Sequence, residues 1–389
     1  MVNQEITVLH SVPRWLPQTE TWLYTQIKCL PLPVRSHIVC EVAENLDQFA
    51  MPHIYAARNV PAGRYRMYMA LARLGLRDHY QSFLVRQARS CRAAVLHSHY
   101  GHIGWRNMGA AGKANLRHVV TFYGFDVNKL PAADPRWRER YRELFGHADY
   151  ILCEGAHMAG RIKELGCPEH KVLVHRLGVM VDAIPFRPRA WAPGDPLRVL
   201  IAASFREKKG IPDALEALGR LQRDAPLQIT LIGDAGSEPA GRAEREKIRR
   251  VIEKHDLTAR VRLLGFQPHQ VLFAEAYRHH VFLSPSVTAG DGDTEGGAPV
   301  TIIEMAATGM PVVSTVHCDI PAVILNGRTG LLAGERDVDG LVTHLHWLVN
   351  HRSEWLPMLT AGRGRVEALY NASVQGARLA AIYRRLVLQ

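Results

Sequence analysis

The chain has 389 residues, 47% of them hydrophobic and 22% charged, with a formal net charge of +11. That length predicts two domains of roughly 150–200 residues, each able to bury a sizeable core. No apolar run approaches the roughly 20 residues of a membrane span. The N-terminus lacks the basic and long apolar regions of a signal peptide, and six scattered cysteines without a C-x-x-C pair predict reduced thiols in a cytosolic protein rather than zinc or a disulfide framework.

Short apolar runs alternate with helical patterns throughout. In the first half ITVLHSV, SHIVCEV, AAVLHSH, HVVTFY, DYILCE and KVLVHR read as strands; in the second, LRVLIAAS, LQITLIG, RVRLLG, HVFLSPSV, PVVSTV and GLLA. Helical stretches such as 210–223, 241–255 and 338–350 lie between them. This alternation predicts two parallel sheets covered on both faces. The natural break is IPFRPRAWAPGDP, which holds Pro185, Pro188, Pro193 and Pro196. The expected division is an N-terminal domain over 1–184, a linker over 185–196, a C-terminal domain over 197–372 and a last helix over 373–389. Two doubly wound domains so joined leave a cleft, and ligands bind such sheets at the carboxyl ends of the strands.

Four local patterns in the first half bear on chemistry. LPQTETWLYTQI carries Thr19, Glu20 and Thr21, with either threonine a candidate helix cap. From Arg58 to Arg92 eight arginines accompany a single acid, Asp78, and Tyr65, Tyr68, Met69, Leu71, Leu74 and Leu76 interleave. Such a basic amphipathic stretch reads as contact with an anionic membrane surface or as a solvated face; no nucleic-acid motif accompanies it. HSHYGHIGW, with His97, His99 and His102, has a weak metal spacing and no accompanying carboxylate motif, so no metal is expected. TFYGFDV supplies Tyr123, Gly124 and Asp126. Gly109-Ala-Ala-Gly112-Lys113 lacks the spacing and hydroxyl of a phosphate loop.

The second half holds the stronger signals. In ASFREKKGIPDALEAL, Arg206, Lys208 and Lys209 fall where a strand hands over to a helix. Cations there either neutralise a diphosphate or form a solvated turn. LIGDAG and LGF place Gly233, Gly265 and Phe266 at strand ends, suited to close approach of a nucleotide or to simple turns. The segment 281–316 reads strand, glycine-rich loop, short helix, strand. Its loop carries Asp291, Asp293, Glu295, Gly296, Gly297 and Ala298; Pro299 suits the first helical position, Val300 follows, and Glu304 sits inside the helix. Two carboxylates bracketing a Gly-Gly turn at a helix N-terminus suit a nucleotide sugar, with main-chain N–H groups facing the diphosphate and carboxylates accepting from hydroxyls. The bland alternative is an ordinary β-α-β unit with an acidic loop.

The segment 281–316 resembles the donor-site signature of the family 4 retaining glycosyltransferases, and the opening loop resembles that of colanic-acid-type exopolysaccharide enzymes. The resemblance implies the GT-B fold: two Rossmann-like, doubly wound parallel-sheet domains facing a central cleft. The family pattern has seven residues between its two glutamates; here eight lie between Glu295 and Glu304. By resemblance Glu295 lies near the donor sugar, Glu304 binds ribose, and Lys209 holds phosphate. The usual arginine position is Ser204, with Arg206 as its substitute. The family histidine that contacts the donor sugar is Tyr123, and Asp126 matches the family aspartate. The donor site would then comprise Glu304, Gly296, Gly297, Ala298, Pro299, Val300, Gly233, Gly265 and Phe266. Thr19, Glu20, His99 and Gly124 would lie on the acceptor side.

The implied function is transfer of a sugar, with retention, from a nucleotide-diphosphate donor to a glycan or lipid-linked acceptor in cell-surface polysaccharide synthesis. No cofactor or metal is implied, the Asp291-x-Asp293 pair notwithstanding. The implied place is the cytoplasm, at the inner face of the membrane. The departures at Ser204, Tyr123 and the glutamate spacing leave one rival, a non-catalytic sugar-nucleotide-binding or scaffolding subunit of a membrane assembly; a second, enzymatic rival is a nucleotide-sugar epimerase, for which no acid/base set is evident.

Overall fold

The computed structural model describes residues 5–17, 20–58, 67 and 79–389. Thr19 and most of the arginine-rich stretch, at 59–66 and 68–78, lie outside the described residues. The chain divides into two compact units, Met1–Gly178 together with Ala372–Gln389, and Val179–Asn371.

The first unit is built on a seven-stranded parallel sheet of order β5-β3-β1-β6-β7-β8-β9. Its strands are β1 (Ile6–Ser11), β3 (Val34–Cys40), β5 (Ile54–Ala56), β6 (Val95–His99), β7 (Arg117–Thr121), β8 (Tyr150–Cys153) and β9 (Val172–Val174). A two-stranded ribbon, β2 (Arg14–Trp15) with β4 (Val42–Ala43), sits apart. The period of two along each strand splits the core between two faces. Val8, Val95 and Val119 pack with Leu379, Ala380 and Tyr383 of the last helix, Ala372–Leu388. Leu9 and Leu96 pack on the other face, among Tyr80, Phe83 and Ala110 of the helices His79–Ser90 and Gly101–Ala114. The last helix therefore belongs to the first unit, although unit 2 precedes it in the chain.

The second unit has a six-stranded parallel sheet of order β12-β11-β10-β13-β14-β15. These are β10 (Leu197–Ala202), β11 (Leu227–Ile232), β12 (Val261–Leu263), β13 (Val281–Ser284), β14 (Val312–Thr315) and β15 (Leu331–Ala333). Successive strands run outward from β10 in one direction and from β13 in the other, so the winding reverses between β10 and β13. In the first unit it reverses between β1 and β6. At such switch points the connecting loops part and leave room for a ligand.

Every strand expected from the sequence has a counterpart; β2, β4 and β5 are additional short strands. The proline-rich segment lies within the second unit. Arg187 N and Arg189 N donate to Thr308 O and Gly309 O at 2.9 Å, and Trp191 is buried in the core. Pro299 precedes the helix Val300–Thr308 instead of opening it, and Gly309 closes that helix in the left-handed region at φ 82°. Thr21 opens the helix Thr21–Lys28, with Glu20 as the residue before it, so Thr21 does not cap it. Gly109, Gly112 and Lys113 fall inside the helix Gly101–Ala114, which excludes a phosphate loop there.

Candidate active site

The second unit gathers its chemistry at the carboxyl edge of its sheet. The turn after β10 winds through a short helical turn, Glu207–Lys209, into Gly210 at φ 59° and then the helix Ile211–Leu221. Gly210 is required there: a Cβ would land on the Pro285 carbonyl oxygen, and the positive φ disfavours a side chain. That close approach lays the β10 turn against the loop after β13. The Lys209 ammonium donates to Glu295 Oε2 at 2.8 Å, and Ser286 Oγ donates to Glu295 Oε1 at 2.8 Å. Burial alone would raise the Glu295 carboxyl, but Lys209 and Lys208 outweigh it and hold it down at about 2. Lys208 bonds Asp293 Oδ1 at 3.1 Å and Thr294 O at 2.8 Å. Asp293 thus faces the Lys208 ammonium.

Behind the loop, Glu295 N donates to His317 Nε2 at 3.1 Å, and His317 Nδ1 lies 2.6 Å from Glu335 Oε1. His317 and Glu335 follow β14 and β15, so the last two strands buttress the loop. Neither residue stood out in the sequence, because their pairing spans non-adjacent segments. The Gly297 and Ala298 amides donate to no described residue. Glu304 is buried within the next helix, its Oε1 2.8 Å from His269 Nε2. The hydrogen bond to Glu304 raises the His269 imidazole against burial. Gly233 and Gly265, after β11 and β12, pair with each other, and Phe266 is 52% exposed beside them. Arg206 is exposed, with no side-chain hydrogen bond or ion pair to any described residue.

In the first unit the loops after β1, β6 and β7 carry the expected residues, with a different division of labour. Asp126 is fully buried and accepts from Gly101 N at 2.5 Å and Tyr123 N at 2.8 Å. It anchors the turn from behind and caps the start of the helix Gly101–Ala114. Burial outweighs those amides and pushes its carboxyl up to about 7. His99 is also fully buried, its Nδ1 2.7 Å from the Tyr123 hydroxyl. Gly124 is buried in the same turn. His102 does not join His97 and His99; the third imidazole of that group is His10, from β1.

A residue that sequence reasoning passed over, Tyr100, lies at the switch point. It has φ 76° and ψ 137°, unusual for a residue with a side chain. Its phenol is hydrogen-bonded to the Glu20 side chain, and its ring meets Tyr123 edge-on at 4.9 Å. Burial raises the Glu20 carboxyl, the Tyr100 bond opposing it. Glu20 and Tyr100 come from the two loops, after β1 and β6, that part at the reversal.

Two α/β units with parallel sheets, each presenting its chemistry at a switch point, define the GT-B class of sugar-transfer enzymes. Solved structures share this fold: a glycosyltransferase from Rickettsia africae (TM-score 0.77, 15% identity, 98% of this chain and 99% of that one) and HepE from Anabaena with UDP and glucose (0.77, 14%, 98% and 100%). Residues 19–183 match the model of Glycosyltransferase Family 4, and residues 196–351 that of Glycosyl transferases group 1. The chain is 32% identical over 300 residues to the putative colanic acid biosynthesis glycosyltransferase WcaL of Escherichia coli, covering 76% of this chain and 71% of that protein. It is 32% identical over 271 residues to the amylovoran biosynthesis glycosyltransferase AmsK of Erwinia amylovora, covering 69% and 64%. The chain belongs to the family 4 glycosyltransferases.

Proposed function

We propose that this glycosyltransferase takes a sugar from a nucleotide diphosphate in its second unit and passes it to a glycan or lipid-linked acceptor of cell-surface polysaccharide synthesis, held by its first unit. The observation that carries the reading is the Lys209–Glu295–Ser286 constellation at the β10/β13 switch point, followed one helix later by Glu304. Lys209 and Arg206, with the free amides of Gly297 and Ala298, stabilise the departing diphosphate. Glu304 takes ribose hydroxyls, with Gly233, Gly265 and Phe266 beside the nucleoside. Glu295, ionised and immobilised, positions the sugar and offsets positive charge at the anomeric carbon. Glu295 is tied to Lys209 and Ser286, Asp293 to Lys208 and Glu335 to His317, so none of these three carboxylates is free to attack the sugar. Same-face attack with retention, without a divalent ion at the phosphates, is therefore the mechanism we favour.

The acceptor unit is suited to an anionic membrane surface. The helices His79–Ser90, Gly101–Ala114 and Arg136–His147 lie side by side. They carry Arg86, Arg89, Arg106, Lys113 and four further arginines against Glu139 and Glu143. Arg140 stacks over Trp105 and Trp137 at 4.9 and 4.7 Å, an aromatic–basic mix favoured at membrane interfaces. Among the described residues no helix is long and apolar enough to cross a membrane.

The test is turnover of UDP-, GDP- and ADP-sugars by purified protein with and without a chelator, with the anomeric configuration of the product read by NMR. Replacing Lys209 by Ala is expected to cut turnover about 100-fold, as for loss of one electrostatic stabiliser. Inversion, or activity abolished by the chelator and restored by a divalent ion, would refute the mechanism.

A further inference from the structure

Beneath the carboxyl edge of the first unit's sheet runs a buried file of imidazoles and hydroxyls. His10 and His97 are register partners on β1 and β6, and His99 follows two residues on, beside Thr121 of β7. All four are buried. His10 Nδ1 lies 3.2 Å from His99 Nε2, and His99 Nδ1 lies 2.7 Å from the Tyr123 hydroxyl. The Tyr123 hydroxyl donates to Gln26 Oε1 at 3.5 Å. Thr121 Oγ1 lies 2.6 Å from His97 Nε2, and His97 Nδ1 lies 2.6 Å from the Tyr383 hydroxyl of the last helix.

Burial holds His10 at about 3, and His97 and His99 well below their usual range. Each is therefore a neutral ring with one N–H and one lone pair, so the file has a direction. His10 Nε2 is buried and has no partner. A buried N–H left unpaired is rarer than an under-used acceptor, which makes Nε2 the lone pair and puts the His10 proton on Nδ1. The bonds on through Tyr123 then follow. His10 donates to His99, His99 through Nδ1–H to Tyr123, and Tyr123 to Gln26 Oε1.

We propose that this single-polarity chain, running from His10 through His99 and Tyr123 to Gln26, holds Tyr123 with its oxygen accepting from His99 and its proton turned to Gln26, making His99 a positioning residue for the acceptor-side loop 122–126. The inference rests on the sugar-transfer reading for its catalytic consequence, but not for its geometry. Tyr123 then acts through its ring face against Trp22 and Tyr100, with centroids at 4.4 and 4.9 Å, and not through a free hydroxyl. The three imidazoles also offer nitrogens within 4.8 Å of one another. A metal ion there would have to break the His10–His99 and His97–Thr121 bonds, and the hydrogen-bond chain needs no such change.

The decisive measurement is tautomer assignment in the full-length protein, by long-range proton–nitrogen NMR on histidine-labelled enzyme. Nδ1–H is expected for His10 and His99; Nε2–H on either overturns the chain, as does stoichiometric zinc in protein purified without added metal. The role is read from His99→Phe and His99→Gln. Loss of one neutral hydrogen bond is expected to lower turnover about tenfold, with donor Kd unchanged and His99→Gln partly restored. Unaltered turnover in His99→Phe, or a changed donor Kd with turnover intact, overturns the positioning role. Wild-type protein that transfers no sugar from any donor defeats the sugar-transfer reading instead, and the tautomers still decide the chain.

Discussion

Two buried carboxylates, one in each unit, are displaced in opposite directions by their surroundings. Glu295 sits at about 2 against an ordinary 4.5, because Lys209 and Lys208 overcome its burial. A depressed folded value means the unfolded chain binds the proton more tightly. The stabilisation is therefore complete above pH 4.5 and lost as pH falls towards about 2. Glu295→Gln should lower stability at neutral pH by about 1–3 kcal/mol, since it strands a lysine, and the difference from wild type should shrink on acidification. Denaturant midpoints at pH 7 and pH 3 check this. Asp126 is raised to about 7 from 3.8, because burial outweighs its backbone amide donors. Its sign is reversed: the folded chain holds the proton more tightly, so this group's contribution declines as pH rises from 3.8 through about 7. Asp126→Asn should therefore compare better with wild type at pH 8 than at pH 5; an equal difference at both would contradict the burial argument. The sequence showed both carboxylates but not their division of roles. Glu295 and Lys209 were legible because each lies in a short local pattern. Asp126 as a hidden anchor, Tyr100 as a strained residue and His10 as a partner of His99 were not, because each depends on which strands lie side by side.

Among the elements, the turn between β10 and the helix Ile211–Leu221 is the least tolerant. Gly210 combines a positive φ with a Cβ path blocked by the Pro285 carbonyl. Gly210→Ala should cost at least ~1–3 kcal/mol of backbone strain and push the β10 turn off the β13 loop. Donor affinity should then fall together with the melting temperature, whereas Gly236→Ala, where a Cβ meets open space, should leave both near wild type. The strands were legible from their short apolar runs and period of two. The register that brings Lys209 to Glu295 was not, because it depends on β10 and β13 being neighbours although two strands intervene in sequence.

At the scale of the whole molecule, charge is divided between the units. The first unit, 1–178 with 372–389, contains 26 Lys and Arg against 14 Asp and Glu, a net of +12. The second contains 22 against 23, a net of −1, so the whole excess of +11 lies on the first. If that excess serves an anionic surface, binding to phosphatidylglycerol vesicles should weaken steeply with salt. Reversing Arg138 and Arg142 to Glu should weaken it by about 1 kcal/mol or more per residue, with donor affinity in the second unit unaffected. Vesicle co-sedimentation at low and high salt measures both. Composition announced the excess, but its confinement to one unit emerged only with the chain's division.

The return of Ala372–Leu388 to the first unit bears on how the protein is made. Leu379, Tyr383 and Leu386 complete a core begun by Ile6, Val8 and Val95, yet the ribosome delivers them only after the entire second unit. Domains generally fold as they emerge, the N-terminal one first. Here the half that starts first must wait, one apolar face of its sheet uncovered, while the continuous 179–371 segment can already close. The nascent first unit is thus the part of this enzyme most dependent on protection during synthesis, and a chain cut short before residue 372 would carry a second unit able to close and a first unit that is not.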